Sequence, residues 1–321
     1  MPVLRLIALA LLLVAPALAG AAEPLVLALS RTPLSLPFFV AESEGYFAAE
    51  GVPVRINEIL GGHRTMQQML DGQADLATSS EAVVMFTSFK RDDFVLLASF
   101  VTSSDDVKVV VRGDSGITRP EHLAGKRVGT IRSSASNYYL DTLLLLNGTE
   151  PRGVSMRYLE PDALVNALKQ RELDAISVWQ PFAYQAERQI DGARVLPDGS
   201  FYTLSFNLVA SRRLLGKRDD DLARVLRALL RAERFIAAEP GKAKRLLQDR
   251  LKLDAAYVDW MWPRYRYRVR LDQSLLTTLE SEARWARLEG LVPGTTTPNY
   301  LRFIHAAPLR RASAGAVGIV E

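Results

Sequence analysis

The chain has 321 residues, 48% of them hydrophobic and 24% charged, a globular balance that excludes a disordered protein. Its formal charge of +4, from 40 basic and 36 acidic residues, is too small and too mixed in sign to imply nucleic acid by itself. The absence of cysteine excludes disulfides, thiol catalysis and cysteine-ligated zinc, and at roughly 150 residues per domain the length points to two domains.

Residues 1–22 read as a secretory signal peptide. Arg5 supplies a positive start, residues 6–14 are an unbroken apolar run, and Ala17, Leu18 and Ala19 form a small-x-small cleavage site. The run is short of the roughly 18–20 apolar residues that a membrane-spanning helix needs. The expected location is therefore the periplasm.

From residue 25 the chain alternates strands with helices. Residues 25–29 form a continuous apolar run, as expected for a strand covered on both faces. A polar loop holds Arg31, Thr32 and Ser35. Residues 37–50 follow as a helix ended by Gly51, and residues 53–60 as a strand. Gly61 and Gly62 open a helix that closes at Asp71 and Gly72. Residues 75–78 are a strand, 81–89 a helix, and 95–101 and 107–111 strands.

The pattern then repeats. Residues 127–131 are a strand, 136–146 a helix with Ser136 as N-cap, and 155–159 a strand. Residues 162–170 are a helix capped by Asp162, 174–178 a strand, 180–189 a helix and 193–196 a strand. The segments around Leu27 and Asp75 echo those around Val128 and Asp174 at nearly equal offsets, which predicts two lobes of similar topology. Residues 204–210 are a strand, followed by helices over 219–238, 240–251, 255–262 and 272–289. Arginine and tyrosine alternate over 264–268. That run has the look of a nucleic-acid patch, but an exported chain meets little nucleic acid, and an extended segment lying on a lobe is the expected reading.

Four segments read together resemble the nitrate/sulfonate/taurine-type periplasmic solute-binding proteins, a group related in fold to the thiamine-pyrimidine synthases. Residues 41–54 fit the pattern A-x-x-x-G-Y-F-x-x-E-G-[LV]-x-V, and residues 72–75, 123–129 and 178–182 add further matches. The resemblance implies an α/β, two-lobed periplasmic-binding-protein fold of type II. Each lobe would be a mostly parallel sheet with flanking helices, joined by a hinge. It also implies delivery of a small-molecule solute to the permease of an ABC transporter, without catalysis or a cofactor. A monomer is expected.

Strand order gives an independent rationale for a cleft, because parallel sheets bind ligands beyond the carboxyl ends of their strands. The chain leaves the first lobe near Asp105 and returns near Ser205. Lobe one is thus expected over 23–104 and 207–321, and lobe two over 105–206. The loops expected to line the cleft hold Arg31 and Ser35; Gly62, His63 and Arg64; and Ser79, Ser80 and Glu81. From lobe two come Arg132, Ser133, Ser134 and Ser136, then Trp179 and Gln180, with Phe206 at the hinge. Serines before a helix suit an anion, an arginine adds a fork of donors to a sulfonate or carboxylate, and Trp179 offers a flat apolar wall. Each residue also has an ordinary reading: a rim arginine, a serine N-cap, a core tryptophan, a glutamate at a helix start.

Gly113, Asp114, Ser115 and Gly116 match the nucleophile loop of trypsin-like proteases only superficially and read as a turn. No phosphate-binding loop, nucleophile elbow or zinc-protease motif occurs. The expected ligand is a small anion of the sulfonate, taurine or nitrate class. A thiamine-pyrimidine-like heterocycle, a signalling receptor module and an enzyme on the same fold stay open as alternatives.

Overall fold

The computed structural model describes residues 23–199 and 201–320, so the signal sequence expected at 1–22 lies outside the described residues. In chain order, β1 (Leu25–Ser30), α1 (Leu36–Ser43), α2 (Tyr46–Ala49), β2 (Val54–Ile59), α3 (Gly62–Leu70), β3 (Leu76–Ser80), α4 (Glu81–Ser88) and β4 (Phe94–Ser103) come first. Then follow β5 (Val107–Val111), β6 (Arg127–Thr130), α5 (Ala135–Leu146), β7 (Ser155–Tyr158), α6 (Pro161–Lys169), β8 (Ala175–Trp179), α7 (Phe182–Gln189) and β9 (Arg194–Val195). The remainder is β10 (Leu204–Ser211), α8 (Asp219–Ala238), α9 (Pro240–Leu251), α10 (Ala255–Met261), β11 (Arg266–Asp272), α11 (Gln273–Leu288), α12 (Ala307–Ala312) and β12 (Val317–Gly318).

Two sheets result. The seven-stranded sheet has the order β12-β11-β4-β10-β3-β1-β2, and the five-stranded sheet β7-β6-β8-β5-β9. In the first, β2, β1 and β3 are parallel and β10 pairs antiparallel with β3. In the second, β7, β6 and β8 are parallel and β5 pairs antiparallel with β8. Each sheet is thus built on the same three-stranded parallel unit flanked by an antiparallel fourth strand. The chain passes from one sheet to the other between Ser103 and Val107, and returns before Leu204.

The internal echo has a physical basis. The backbone of Asp75 donates to the Val26 carbonyl (2.8 Å), and its carboxylate accepts the Val26 N–H (2.9 Å). Asp174 makes the same pair with Arg127, at 2.8 and 3.0 Å. Arg213 donates to the Ala74 carbonyl in the first sheet, and Arg112 to the Leu173 carbonyl in the second. An aspartate at the start of the third parallel strand therefore holds the start of the first in both sheets.

Several boundaries differ from the sequence reading. The first helix is broken by Gly45, whose φ of 66° is open to glycine at no steric cost, so α1 and α2 are separate. Ser134 rather than Ser136 caps α5, its hydroxyl accepting from the Asn137 N–H. Glu160 and not Asp162 stands at the N-cap of α6, with no side-chain cap bond, because Pro161 occupies the first helical position. The arginine-tyrosine run becomes β11. Tyr265, Val269 and Leu271 are buried, while Arg266 and Arg268 are exposed. Among the described residues no helix is long and apolar enough to cross a membrane.

Two buried acids lie where α11 packs on α4. The Glu81 carboxylate accepts from the Tyr202 hydroxyl, the Ser205 N–H (2.7 Å) and the Ser205 hydroxyl (3.1 Å). Burial pushes its pKa up to about 7 against those bonds. Neither carboxylate oxygen of Glu282 has a partner, and burial, then the neighbouring Glu81, push its pKa well above the usual carboxylate range. The unfolded chain releases this proton near the ordinary glutamate pKa, and the folded chain holds it. Stability therefore falls as pH rises above that ordinary value.

Two tests follow from this architecture. Asp174→Ala is expected to lower the unfolding free energy in urea by about 1–2 kcal/mol at neutral pH, since it removes the charge-assisted bonds from the Arg127 N–H and guanidinium that hold the start of β6. The Arg127 hydrogen bond holds the Asp174 carboxyl below its usual range, so this difference shrinks as the pH is taken down through that range. Glu282→Gln removes the raised titration. Its melting temperature should exceed that of the wild type by a margin that grows from about pH 5 to pH 8, whereas a constant margin would show that Glu282 is ionised in the folded state.

Candidate functional site

Parallel strands end where their following helices begin, so both sheets direct helix N-termini toward one region. A narrow cavity of about 30 Å³ lies there. From the seven-stranded sheet it is lined by Ser30 and Thr32 beyond β1, by Gly61, Gly62 and His63 at the start of α3, and by Ser80 and Val83 at the start of α4. The five-stranded sheet contributes Ser134 and Ala135 at the start of α5, and Trp179 at the end of β8. Leu34, Asp106, Leu204 and Phe206 complete the wall.

The glycine pair meets a steric demand. Gly61 has φ +93°, and a Cβ on Gly62 would stand 3.1 Å from the Ser79 backbone and 3.1 Å from the Phe206 ring. A side chain at position 62 would push α3 off β3 and away from the cavity.

Five buried polar atoms in this wall lack a hydrogen-bond partner: Ser30 Oγ, Thr32 Oγ1, His63 Nδ1, Asp106 Oδ2 and Trp179 Nε1. A buried polar group left unpaired costs about 1–3 kcal/mol. Five such groups belong to residues that line one cavity. They come from both sheets and from one of the crossings between them.

The electrostatics favour negative charge without a cationic side chain. Helices α3, α4 and α5 all begin at the cavity, and their N-termini carry partial positive charge. Ser80 and Ser134 cap α4 and α5, each at 3.4 Å, whereas no side chain caps α3. Burial pushes the His63 imidazole down, the nearby Glu160 opposing this, so His63 is neutral at pH 7. Its ring lies 6.4 Å from that of Trp179 across the cavity. Asp106 Oδ1 accepts from the Tyr265 hydroxyl at 2.5 Å, and burial pushes this carboxyl up to about 7. Among the described residues no group of three or more histidines and carboxylates could hold a metal ion.

Of the residues expected in the cleft, Gly62, His63, Ser80, Ser134, Trp179 and Phe206 line this cavity. The expected arginine fork does not. Arg31 is half-exposed beside Glu58 at 3.7 Å, and Arg132 stacks on the Tyr158 ring at 3.8 Å. Arg64, on α3, pairs with Glu160, at the start of α6, at 2.9 Å. Ser35 donates to the Ser30 carbonyl, Ser79 to the Gly62 carbonyl, and Ser136 bonds Ser134. Ser133 turns away with φ 52° and donates its N–H to Asn137. The Gln180 side-chain Oε1 accepts the Tyr184 N–H, and Glu81 is occupied by Tyr202 and Ser205. These groups hold the walls in place. Ser30 and Asp106 were missed because nothing in their local sequence separates them from any strand end or linker residue.

Comparison with known proteins agrees with this architecture. The chain is 24% identical over 233 residues to a putative aliphatic sulfonates-binding protein of Bacillus subtilis, covering 70% of this chain and 69% of that one. It is 28% identical over 165 residues to the taurine-binding periplasmic protein of Escherichia coli, about half of each chain (50% and 49%). The alkanesulfonate-binding protein SsuA of Xanthomonas axonopodis pv. citri, solved with MOPS, shares the fold. Its TM-score is 0.78 at 19% identity, over 89% of this chain and all of that one. The model of the NMT1/THI5-like family matches residues 32–243, and the chain belongs to that family.

Proposed function

We propose that the protein is a periplasmic solute-binding protein that captures a short sulfonate, of the taurine class, and delivers it to an ABC transporter. The observation that carries this reading is the set of five unpartnered polar atoms at the meeting point of three helix N-termini. A sulfonate offers three oxygens and a charge that persists at any physiological pH. Neutral donors are enough to hold it. The hydroxyls of Ser30 and Thr32 and the indole N–H of Trp179 supply them.

Asp106 decides the other end of the solute. Its free oxygen accepts from an ammonium group, so an aminoalkyl sulfonate satisfies it where a plain alkyl sulfonate leaves it unpaired. Trp179, Phe206 and Leu204 enclose the short apolar link between the two charged ends.

Capture works by closure and involves no covalent step. We take the two lobes to follow the two sheets, with residues 23–104 and 204–321 around the first and 105–203 around the second. The two crossings between them act as hinges. A solute bonded to Ser30 and Thr32 on one side and to Trp179 on the other favours the closed form by its differential contacts. The Arg64–Glu160 pair joins the two lobes and forms only when they are together. Relatives named as sulfonate- and taurine-binding proteins support the same reading.

The test is a binding titration with taurine, ethanesulfonate and nitrate. At about 100 times the dissociation constant, taurine should stabilise the protein by about 2.7 kcal/mol, read as a raised melting temperature. Trp179→Ala is expected to weaken taurine binding about tenfold or more, while Arg132→Ala stays within about twofold of the wild type. Asp106→Asn should erase the preference for taurine over ethanesulfonate. Loss of binding in Arg132→Ala with no change in Trp179→Ala would overturn the site.

A further inference from the structure

A second concave site lies on the seven-stranded sheet, away from the cavity just described. Strand β11 carries arginines at alternate positions, Arg266, Arg268 and Arg270, which therefore project from one face of the sheet. Its other residues, Val269 and Leu271, are buried. The three arginines line a pocket of about 360 Å³ with hydroxyls from β4, β10 and α11, among them Ser99, Thr102 and Ser205.

The charges in this pocket are only partly satisfied. Arg270 is held by Asp272, Nε at 3.0 Å and Nη2 at 2.9 Å. Arg266 and Arg268 are exposed and have no hydrogen-bond or ion-pair partner among the described residues. The pocket also takes in Asp272 and Ser274, where the 16-residue helix α11 begins with no side-chain cap. Its positive end thus opens beside the arginines. Three guanidinium groups less one aspartate leave a local charge of two.

Arg266 and Arg268 leave two free guanidinium forks on one pocket wall, and two linked oxyanion groups offer one to each. We propose that this pocket is a binding site for a diphosphate-type polyanion, with Arg266 and Arg268 each taking one phosphate group and the hydroxyls of Thr102 and Thr203 completing the shell. The site is independent of the solute cavity, so its failure leaves the sulfonate reading standing. Thr102 and Thr203 line the pocket beside the two crossings between the sheets, so an occupant bridges both.

The experiment is calorimetric titration of the purified protein with pyrophosphate at low ionic strength, with orthophosphate as the compact control. One saturable site is expected, with pyrophosphate bound more tightly than orthophosphate. The double variant R266Q/R268Q should weaken it about tenfold or more, with an unchanged melting temperature because both side chains are exposed. Trp179→Ala should leave it intact. Absence of saturable heat at millimolar pyrophosphate would overturn the proposal. So would loss of binding in Trp179→Ala with retention in R266Q/R268Q, which would place the anion in the solute cavity.

Discussion

A parallel strand followed by its crossover helix always delivers the helix N-terminus to the carboxyl edge of the sheet. This constraint governs the molecule. It acts twice, once in each sheet, and the two edges face one another. Helices α3, α4 and α5 therefore aim their positive ends at one small volume. Asp75 and Asp174 secure the opposite ends of the same strands, each bonding the start of the first parallel strand of its sheet. Register at one end fixes the donor geometry at the other.

The way charge is placed follows from desolvation. An arginine inside so narrow a cavity would lose its water and need full pairing. The structure puts Arg31, Arg64 and Arg132 outside, each against a carboxylate or an aromatic ring. Arg266 and Arg268 on β11 can be unpaired because water reaches them.

The crossings between the sheets are tied by buried polar groups. Lys108 bridges Asp105 at 2.8 Å and Asp198 at 2.7 Å, and Tyr139 also donates to Asp198. Asp106 is held by Tyr265 from the first sheet, and Glu81 by Tyr202 and Ser205 just where the chain returns. The bonds of Asp106 to Tyr265 and of Glu81 to Tyr202 join residues more than 100 positions apart in sequence.

Local sequence determined much of this protein. Apolar runs marked β1, β5 and β8, helical spacing marked α8, and the repeated aspartate at 75 and 174 revealed two like units. These signals are legible because burial on both faces and helical periodicity are written in neighbouring residues. The serines and glycines before α3, α4 and α5 were legible as helix starts for the same reason. Only the tertiary structure decided which of them share a cavity. Ser134 and Trp179 meet His63 through the packing of one sheet against the other, and Asp106 joins them from a linker with no motif of its own. It likewise decided that β11 is a strand with one buried and one charged face, since the pairing partner β4 lies some 160 residues away, at Thr102 for Arg266. Partners set by long-range pairing leave no trace in the residues beside them.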